Sequence, residues 1–227
     1  APAADRFTEW LRAEAGDQWD RVVNHEFTDR LAAGTLDHAV LGRYLVQDHR
    51  FLDSFAVLLA SAIAAAPTLA DRVPGAQFLA LILGKENTYF ERSFDALGIS
   101  AADREQTPDA PVTAHFTGLM RTAAASGRLE VMLAVLVVAE WSYLSWATRV
   151  SPAPSLPFYC LEWLDLHRGP YFTSVVGYLR ELLDRVGEGL GQEEREQVRR
   201  YFVRAVDLEE AFFEMAIGRE VPLHDEL

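Results

Sequence analysis

A long apolar run that ends in a carboxylate constrains the fold of this chain more than any other feature. Residues 131–139 read Val-Met-Leu-Ala-Val-Leu-Val-Val-Ala, and Glu140 follows them at once. A helix that is apolar on nearly all sides has to be buried. A buried carboxylate must be paired, hydrogen-bonded or held protonated by a raised pKa. The sequence therefore predicts a central helix that carries an acid into the protein interior, as many catalytic acids are carried.

Two further acids share apolar helical faces with aromatic residues. Asp48 lies four residues after Tyr44 and three before Phe51, and Glu209 lies three before Phe212. Residues three and four apart share one face of a helix. Three acids on three apolar faces predict one polar pocket inside a helical protein. The alternative is a structural role, in which a buried arginine, a tyrosine hydroxyl or a neighbouring helix satisfies each acid.

Apolar residues recur every three or four positions along most of the chain, and alternating strand patterns are absent. This spacing predicts an all-α protein, folded as a single-domain helical bundle over residues 1–227. Pro74 is expected at a helix end, where its missing N–H does little harm. We expect eight helices, at residues 4–33 (bent near Asn24), 37–65, 73–97, 109–126, 128–149, 157–168, 170–188 and 192–217.

Charge and motif content exclude several classes of function. The net charge of −13, from 34 acidic and 21 basic residues, disfavours nucleic-acid and anionic membrane partners. A single cysteine, Cys160, excludes an intramolecular disulfide and suits a cytoplasmic location. Glu-x-x-His, His-Glu-x-x-His, Cys-x-x-Cys, Gly-x-Gly-x-x-Gly and Gly-x-Ser-x-Gly motifs are all absent. We therefore expect neither a metal nor a nucleotide cofactor, and no serine hydrolase.

Two more side chains belong to the predicted pocket or to the core around it. Tyr143 follows Glu140 by three residues, so it faces the same side and can donate a hydrogen bond to that carboxylate or to a ligand. His167 lies among aromatic residues, as a pocket residue or as a hydrogen-bonded core histidine. Phenylalanines are mostly core residues, and they also offer flat surfaces on which an aromatic ligand stacks.

Five groups of residues, in a specific order and spacing, carry a family resemblance. With them the chain resembles, nearly end to end, the TenA/THI-4 proteins, which are thiaminase II-like aminopyrimidine hydrolases of the haem-oxygenase-like helical fold. The groups are His25–Phe27 with Gly34–Leu36, Tyr44–Asp48 with Phe51–Leu52, Ala139–Tyr143, Glu162–Trp163 with His167 and Phe172, and Glu209–Ala216.

Departures from the family pattern indicate the branch. Ala139 stands where the cysteine-containing branch has its nucleophile, four residues before the tyrosine that is here Tyr143. The chain thus looks like the cysteine-lacking branch, often called TenA_E. By position, Phe116 and His167 replace two pocket tyrosines of the better-known branch, so the substrate does not transfer directly.

The resemblance implies an activity and a role for each acid. Asp48 matches the acid that holds the exocyclic amine and adjacent ring nitrogen of a 4-aminopyrimidine, with Phe51, Phe116 and His167 beside it. Glu209 matches the catalytic glutamate, which moves a proton to or from the ring.

We expect hydrolysis of aminomethyl- or formylaminomethyl-pyrimidine, thiamin breakdown products, to hydroxymethylpyrimidine for salvage. Water replaces the thiol, Glu140 activates or holds that water, and Tyr143 orients a carboxylate or the substrate. The family further suggests a homo-oligomer, either a dimer or a tetramer.

Two other functions remain open from the sequence. The missing nucleophile is also compatible with a non-catalytic carrier or regulator that binds a pyrimidine or related heterocycle. Glu209 argues against this alternative, since binding alone needs no second acid. The other alternative is a cofactor-free oxidase like the pyrroloquinoline quinone-forming enzyme of the same fold, which the shortage of basic and histidine residues in the predicted pocket disfavours.

Overall fold

Residues 6–219 and 222–223 are described by the structure, a computed structural model. In this part of the chain there are thirteen α-helices, one π-helical turn and no strand, which confirms the all-α prediction. The helices are α1 (Phe7–Ala15), α2 (Asp17–Val23), α3 (Glu26–Ala33), α4 (His38–His49), α5 (Phe51–Ala65), α6 (Leu69–Leu81), the π-helical turn (Ile82–Glu86), α7 (Asn87–Leu97), α8 (Ala101–Gln106), α9 (Pro111–Ala125), α10 (Leu129–Arg149), α11 (Phe158–Leu166), α12 (Gly169–Gly187) and α13 (Gln192–Ala216).

The prediction of one bent helix at residues 4–33 is wrong. Two breaks divide the described part of this range into three helices, α1, α2 and α3. Gly16 ends α1 with a φ of 58°, a conformation that glycine adopts without strain. His25 has extended backbone and caps α3, because its Nδ1 accepts a hydrogen bond from the Phe27 N–H at 3.1 Å. Residues 4 and 5 of the prediction lie outside the described part.

The predicted helix 37–65 is interrupted at Arg50, between α4 and α5. The Arg50 guanidinium donates to the backbone carbonyl of Arg104 at 2.9 Å and to that of Thr107, and it pairs with Asp109. These partners lie more than fifty residues away in sequence. The interruption at Arg50 thus coincides with tertiary contacts rather than with a proline or glycine.

The placement of Pro74 at a helix end is also wrong, because α6 begins at Leu69 and Pro74 lies inside it. Thr68 starts the helix earlier than predicted by accepting a hydrogen bond from the Asp71 N–H at 3.2 Å. The short helix α8 was not predicted; Ser100 and Asp103 cap it reciprocally.

Helix α10 forms the centre of the fold. All of residues 131–139 are buried, and the helix packs against α2, α5, α9, α12 and α13. By length and composition alone α10 is apolar enough to cross a membrane, yet 83% of its apolar window is buried inside the protein. Surrounding helices therefore cover this apolar surface, and the position of Glu140 near the middle of α10 brings a carboxyl group into the interior.

Candidate active site

A cavity beside the middle of α10 is lined by residues from seven segments of the chain. The cavity opens to solvent, and the empty space within it and its mouth is about 570 Å³. Four of its lining side chains are carboxylic acids: Asp48, Glu86, Glu140 and Glu209. The others are Phe51, Leu52, Phe55, Ile82, Phe116, Met120, Ala139, Tyr143, Trp163, His167 and Phe212. The structure thus brings all seven predicted site residues to one place, and their roles stay predictions.

The junction between α4 and α5 positions Asp48. This residue lies in the last turn of α4, two residues before Arg50, and Phe51 begins α5. The neighbouring Gln47 is buried, and its amide oxygen accepts hydrogen bonds from the Thr113 hydroxyl at 2.6 Å and the Ala110 N–H at 2.9 Å. Gln47 is therefore anchored to the start of α9 and Arg50 to the segment before it, so the backbone on both sides of Asp48 is held in place.

Glu86 is the lining acid that the sequence reasoning missed. It ends the π-helical turn, a wide backbone turn. Such turns are rare in proteins, and those that occur are often found at functional sites. A hydrogen bond of 3.1 Å between His49 and Asn87 joins the residues that follow Asp48 and Glu86, so the two acids are held on adjacent segments. One signal was present in the sequence, because Ile82 and Phe90 lie four residues to either side of Glu86.

The cavity is acidic and lacks a compensating cation among the described residues. No lysine or arginine lines it, and no described group donates a hydrogen bond to any of the four carboxyl groups. Glu209 is only 3% exposed, and the other three acids keep partial exposure because they face the cavity. Within the described part of the chain, no group of three or more histidine, cysteine or acidic side chains is arranged to hold a metal ion.

Burial raises the pKa of all four carboxyl groups. It raises the pKa of Glu86 from 4.5 to about 7. The pKa values of Asp48, Glu140 and Glu209 are raised well above their usual range, by burial first and then by repulsion from the neighbouring acids. The charge on Glu86 contributes to the raised pKa of both Asp48 and Glu140.

Aromatic side chains form the apolar wall. The ring of Phe51 lies 5.3 Å from that of Phe116 and 4.9 Å from that of Phe212, in edge-to-face contact with both. His167 contacts Tyr143, with ring centroids 4.9 Å apart. Burial lowers the pKa of His167 to about 4, so its imidazole is neutral at pH 7. Flat apolar walls opposite several acids suit a flat heterocycle that carries hydrogen-bond donors.

No thiol lines the cavity. Ala139 occupies the wall beside Glu140, and Cys160 is absent from the lining. Burial raises the pKa of the Cys160 thiol to about 11, which leaves it protonated and unreactive at neutral pH. Covalent catalysis by a cysteine is therefore not available at this site.

A family model described as TENA/THI-4/PQQC matches residues 12–219. The chain belongs to this family. Among curated relatives, an aminopyrimidine aminohydrolase of Halalkalibacterium halodurans is 26% identical, over 95% of this chain and 97% of the relative. An aminopyrimidine aminohydrolase of Bacillus subtilis is 24% identical, over 95% and 91% of the two chains. The resemblance to the TenA/THI-4 proteins is thereby confirmed.

Solved structures agree with this membership. A TenA family transcription regulator from a Silicibacter species superposes with a TM-score of 0.83 at 25% identity, covering 94% of this chain and 97% of that one. A domain with a heme oxygenase-like fold from Shewanella denitrificans superposes with a TM-score of 0.67 at 13% identity, covering 92% and 91%. The predicted haem-oxygenase-like fold is confirmed.

Proposed function

We propose that this protein is a thiamin-salvage hydrolase that cleaves the exocyclic C–N bond of aminomethyl- or formylaminomethyl-pyrimidine and yields hydroxymethylpyrimidine. The names of the two aminohydrolases support this activity, since the chain aligns with each of them almost end to end. Ala139 in the cavity wall supports membership of the cysteine-lacking branch.

The observation that carries the proposal is the set of four acids around one cavity, without a lysine or arginine in its lining. Such a site favours a ligand that is cationic or rich in N–H donors, because that ligand relieves the repulsion among the carboxylates. An aminopyrimidine has an amino group and a protonatable ring nitrogen on one edge. The same argument disfavours phosphorylated and other anionic ligands.

Each acid has a proposed role. Asp48 accepts two hydrogen bonds from the amino group and the protonated ring nitrogen, while Phe51 and Phe116 contact the ring. Glu209 supplies the ring proton and keeps the ring electron-poor. Glu86 and Glu140 serve the reacting carbon. Glu86 is the proposed base, because a pKa of about 7 allows it to ionise near neutral pH. Glu140, expected from the sequence to activate or hold the water, is now proposed as the acid, because burial and repulsion from Glu86 and Asp48 favour its protonated form.

The proposed reaction needs only water as co-reactant. The Glu86 carboxylate takes a proton from a water molecule, whose oxygen forms a bond to the methylene carbon of the substrate. The C–N bond breaks, its electron pair goes to nitrogen, and Glu140 gives that nitrogen its proton. Aminomethyl-pyrimidine thus yields hydroxymethylpyrimidine and ammonia, and Glu86 and Glu140 exchange protons with water to reset the site.

The decisive experiment compares three compounds with the purified protein. Aminomethyl-pyrimidine, its formyl derivative and thiamin are incubated separately, and ammonia, formamide and product mass are measured. Glu209→Gln tests the lining acid, and Glu181→Gln on the exposed face of α12 is the matched control. Turnover that only Glu209→Gln abolishes supports the hydrolase. Tight binding without turnover would instead support a carrier or regulator, in line with the similar Silicibacter protein, a TenA family transcription regulator.

Assembly and location are also proposed. Family membership supports a homo-oligomer, a dimer or tetramer, in the cytoplasm, and the net charge of −13 supports a protein that binds neither nucleic acid nor anionic membranes. Light scattering of the purified protein tests the assembly, and a monomeric mass at micromolar concentration would contradict it.

A further inference from the structure

Three buried side chains form a hydrogen-bonded chain that ends at the cavity. The Trp163 indole Nε1 lies 3.2 Å from the Tyr44 hydroxyl oxygen, which lies 2.7 Å from the Tyr143 hydroxyl oxygen. Tyr44 is fully buried and is absent from the cavity lining, whereas Tyr143 and Trp163 line it. Tyr44 therefore reaches the substrate only through its neighbours.

The direction of this chain follows from its donors. An indole N–H can only donate, so the Tyr44 oxygen accepts from Trp163. The Tyr44 hydroxyl then needs an acceptor for its own proton, and the Tyr143 oxygen is its hydrogen-bonding partner among the described residues besides Trp163. The opposite direction would leave a buried O–H without an acceptor, which is energetically unfavourable. Tyr143 thus accepts from Tyr44, and its own proton is free to point into the cavity.

Trp163 also fixes the second polar group in this wall. The Nδ1 of His167 lies 2.8 Å from the Trp163 carbonyl oxygen, which can only accept. Nδ1 therefore carries the ring proton, and the lone pair of the neutral imidazole is on Nε2. No described group donates to that lone pair, which leaves it available to a ligand. One residue sets the polarity of two neighbouring cavity groups, through its indole N–H and through its backbone carbonyl.

We propose that Tyr44 and Trp163 are positioning residues, which hold Tyr143 as a hydrogen-bond donor and His167 as an acceptor toward the reacting substituent of the substrate. This inference rests on the proposed function. Tyr143 lies one helical turn after Glu140 on α10, so both face the same part of the cavity. A donor beside an acceptor complements an amino or hydroxyl group, which has both a lone pair and a proton. Because Tyr143 accepts from Tyr44, its own O–H is polarised and becomes a stronger donor.

The kinetic test is a double-mutant cycle between Tyr44 and Tyr143. We expect Tyr44→Phe to lower kcat about 5-fold to 10-fold, the size of one hydrogen bond, with KM changed less than about 2-fold. Since Tyr44 acts through Tyr143, the double Phe variant should lose no more activity than Tyr143→Phe alone. Tyr89→Phe is the matched control, because the Tyr89 hydroxyl is buried, bonds the Tyr159 carbonyl at 2.6 Å and is outside the lining. Losses that multiply, or an unchanged kcat in Tyr44→Phe, would overturn the proposal.

A second measurement needs neither turnover nor a variant. In the ligand-free wild-type protein, solution NMR should detect a slowly exchanging hydroxyl proton between the two phenols. Scalar coupling of this proton to isotope-labelled ring carbons of Tyr44 is the expected result. Coupling to the ring carbons of Tyr143 would reverse the direction and refute the inference. Because no substrate is present, this outcome is independent of whether the proposed hydrolase activity is found.

Discussion

Replacing Glu86 with glutamine should stabilise the ligand-free protein at alkaline pH. Burial raises the Glu86 pKa from 4.5 to about 7, so the folded state holds the proton more tightly than the unfolded state. Ionisation of Glu86 therefore costs no folding stability below pH 4.5. The cost grows between pH 4.5 and 7 and reaches its full size above pH 7. A neutral glutamine carries none of it.

The magnitude follows from the difference between the two pKa values. At ~1.4 kcal/mol for each pH unit, the full penalty is at most ~3 kcal/mol, reached near pH 8, and it is ~1 kcal/mol at pH 5. Water in the cavity screens part of this charge, and a buried amide has its own desolvation cost. We therefore expect the free energy of unfolding of Glu86→Gln to exceed that of the wild type by ~1–3 kcal/mol at pH 8 and by less than ~1 kcal/mol at pH 5.

Urea unfolding at pH 5 and pH 8, at one fixed protein concentration, measures both values. Glu181→Gln, on the exposed face of α12, controls for the loss of one negative charge from the acidic protein. The same Glu86→Gln variant should lose turnover, because the proposed base is gone, so stability and activity change in opposite directions. An equal or lower stability of Glu86→Gln at pH 8 would refute the assignment of a buried, unpaired carboxylate at this position.

Three further results are expected. Asp48→Asn should weaken binding of hydroxymethylpyrimidine ~10-fold to 100-fold in calorimetry, the size of a lost charge-assisted hydrogen bond, and an unchanged Kd would contradict the role of Asp48. Ala139→Cys should place a thiol in the cavity that alkylating reagents modify and the pyrimidine protects, whereas the buried Cys160 of the wild type stays unmodified. Binding of aminomethyl-pyrimidine at pH 7 should release protons from the carboxyl groups whose pKa is raised. The calorimetric binding enthalpies should then differ between phosphate and Tris buffers, and equal enthalpies would oppose a cationic ligand.

The sequence was sufficient for the parts of the fold that depend on local periodicity. The apolar run before Glu140 predicted the central helix, and the aromatic neighbours of Asp48 and Glu209 predicted that both acids face inward. All three line the cavity, because residues three and four apart on a buried face point the same way. Their grouping could be expected if the helices share one core, as the sequence predicted.

Other parts of the site depend on contacts between residues far apart in the chain. The break at Arg50 is made by carbonyl groups of residues 104 and 107, which no local pattern near Arg50 encodes. The π-helical turn that brings Glu86 to the cavity is a change of backbone hydrogen-bond register without a distinctive sequence. The bond between Tyr44 and Tyr143 joins residues 99 positions apart. Such features can be identified only in the folded structure.

Hydrolysis in water enriched in the heavy oxygen isotope tests the central claim most directly. The wild-type protein is incubated with aminomethyl-pyrimidine, and the mass of the product and the amount of ammonia are recorded. The account predicts hydroxymethylpyrimidine with one heavy oxygen in each molecule and one ammonia for each product, with neither formed by Glu209→Gln. Bound aminomethyl-pyrimidine recovered unchanged, with no ammonia released, would contradict the account and leave this cavity a binding site.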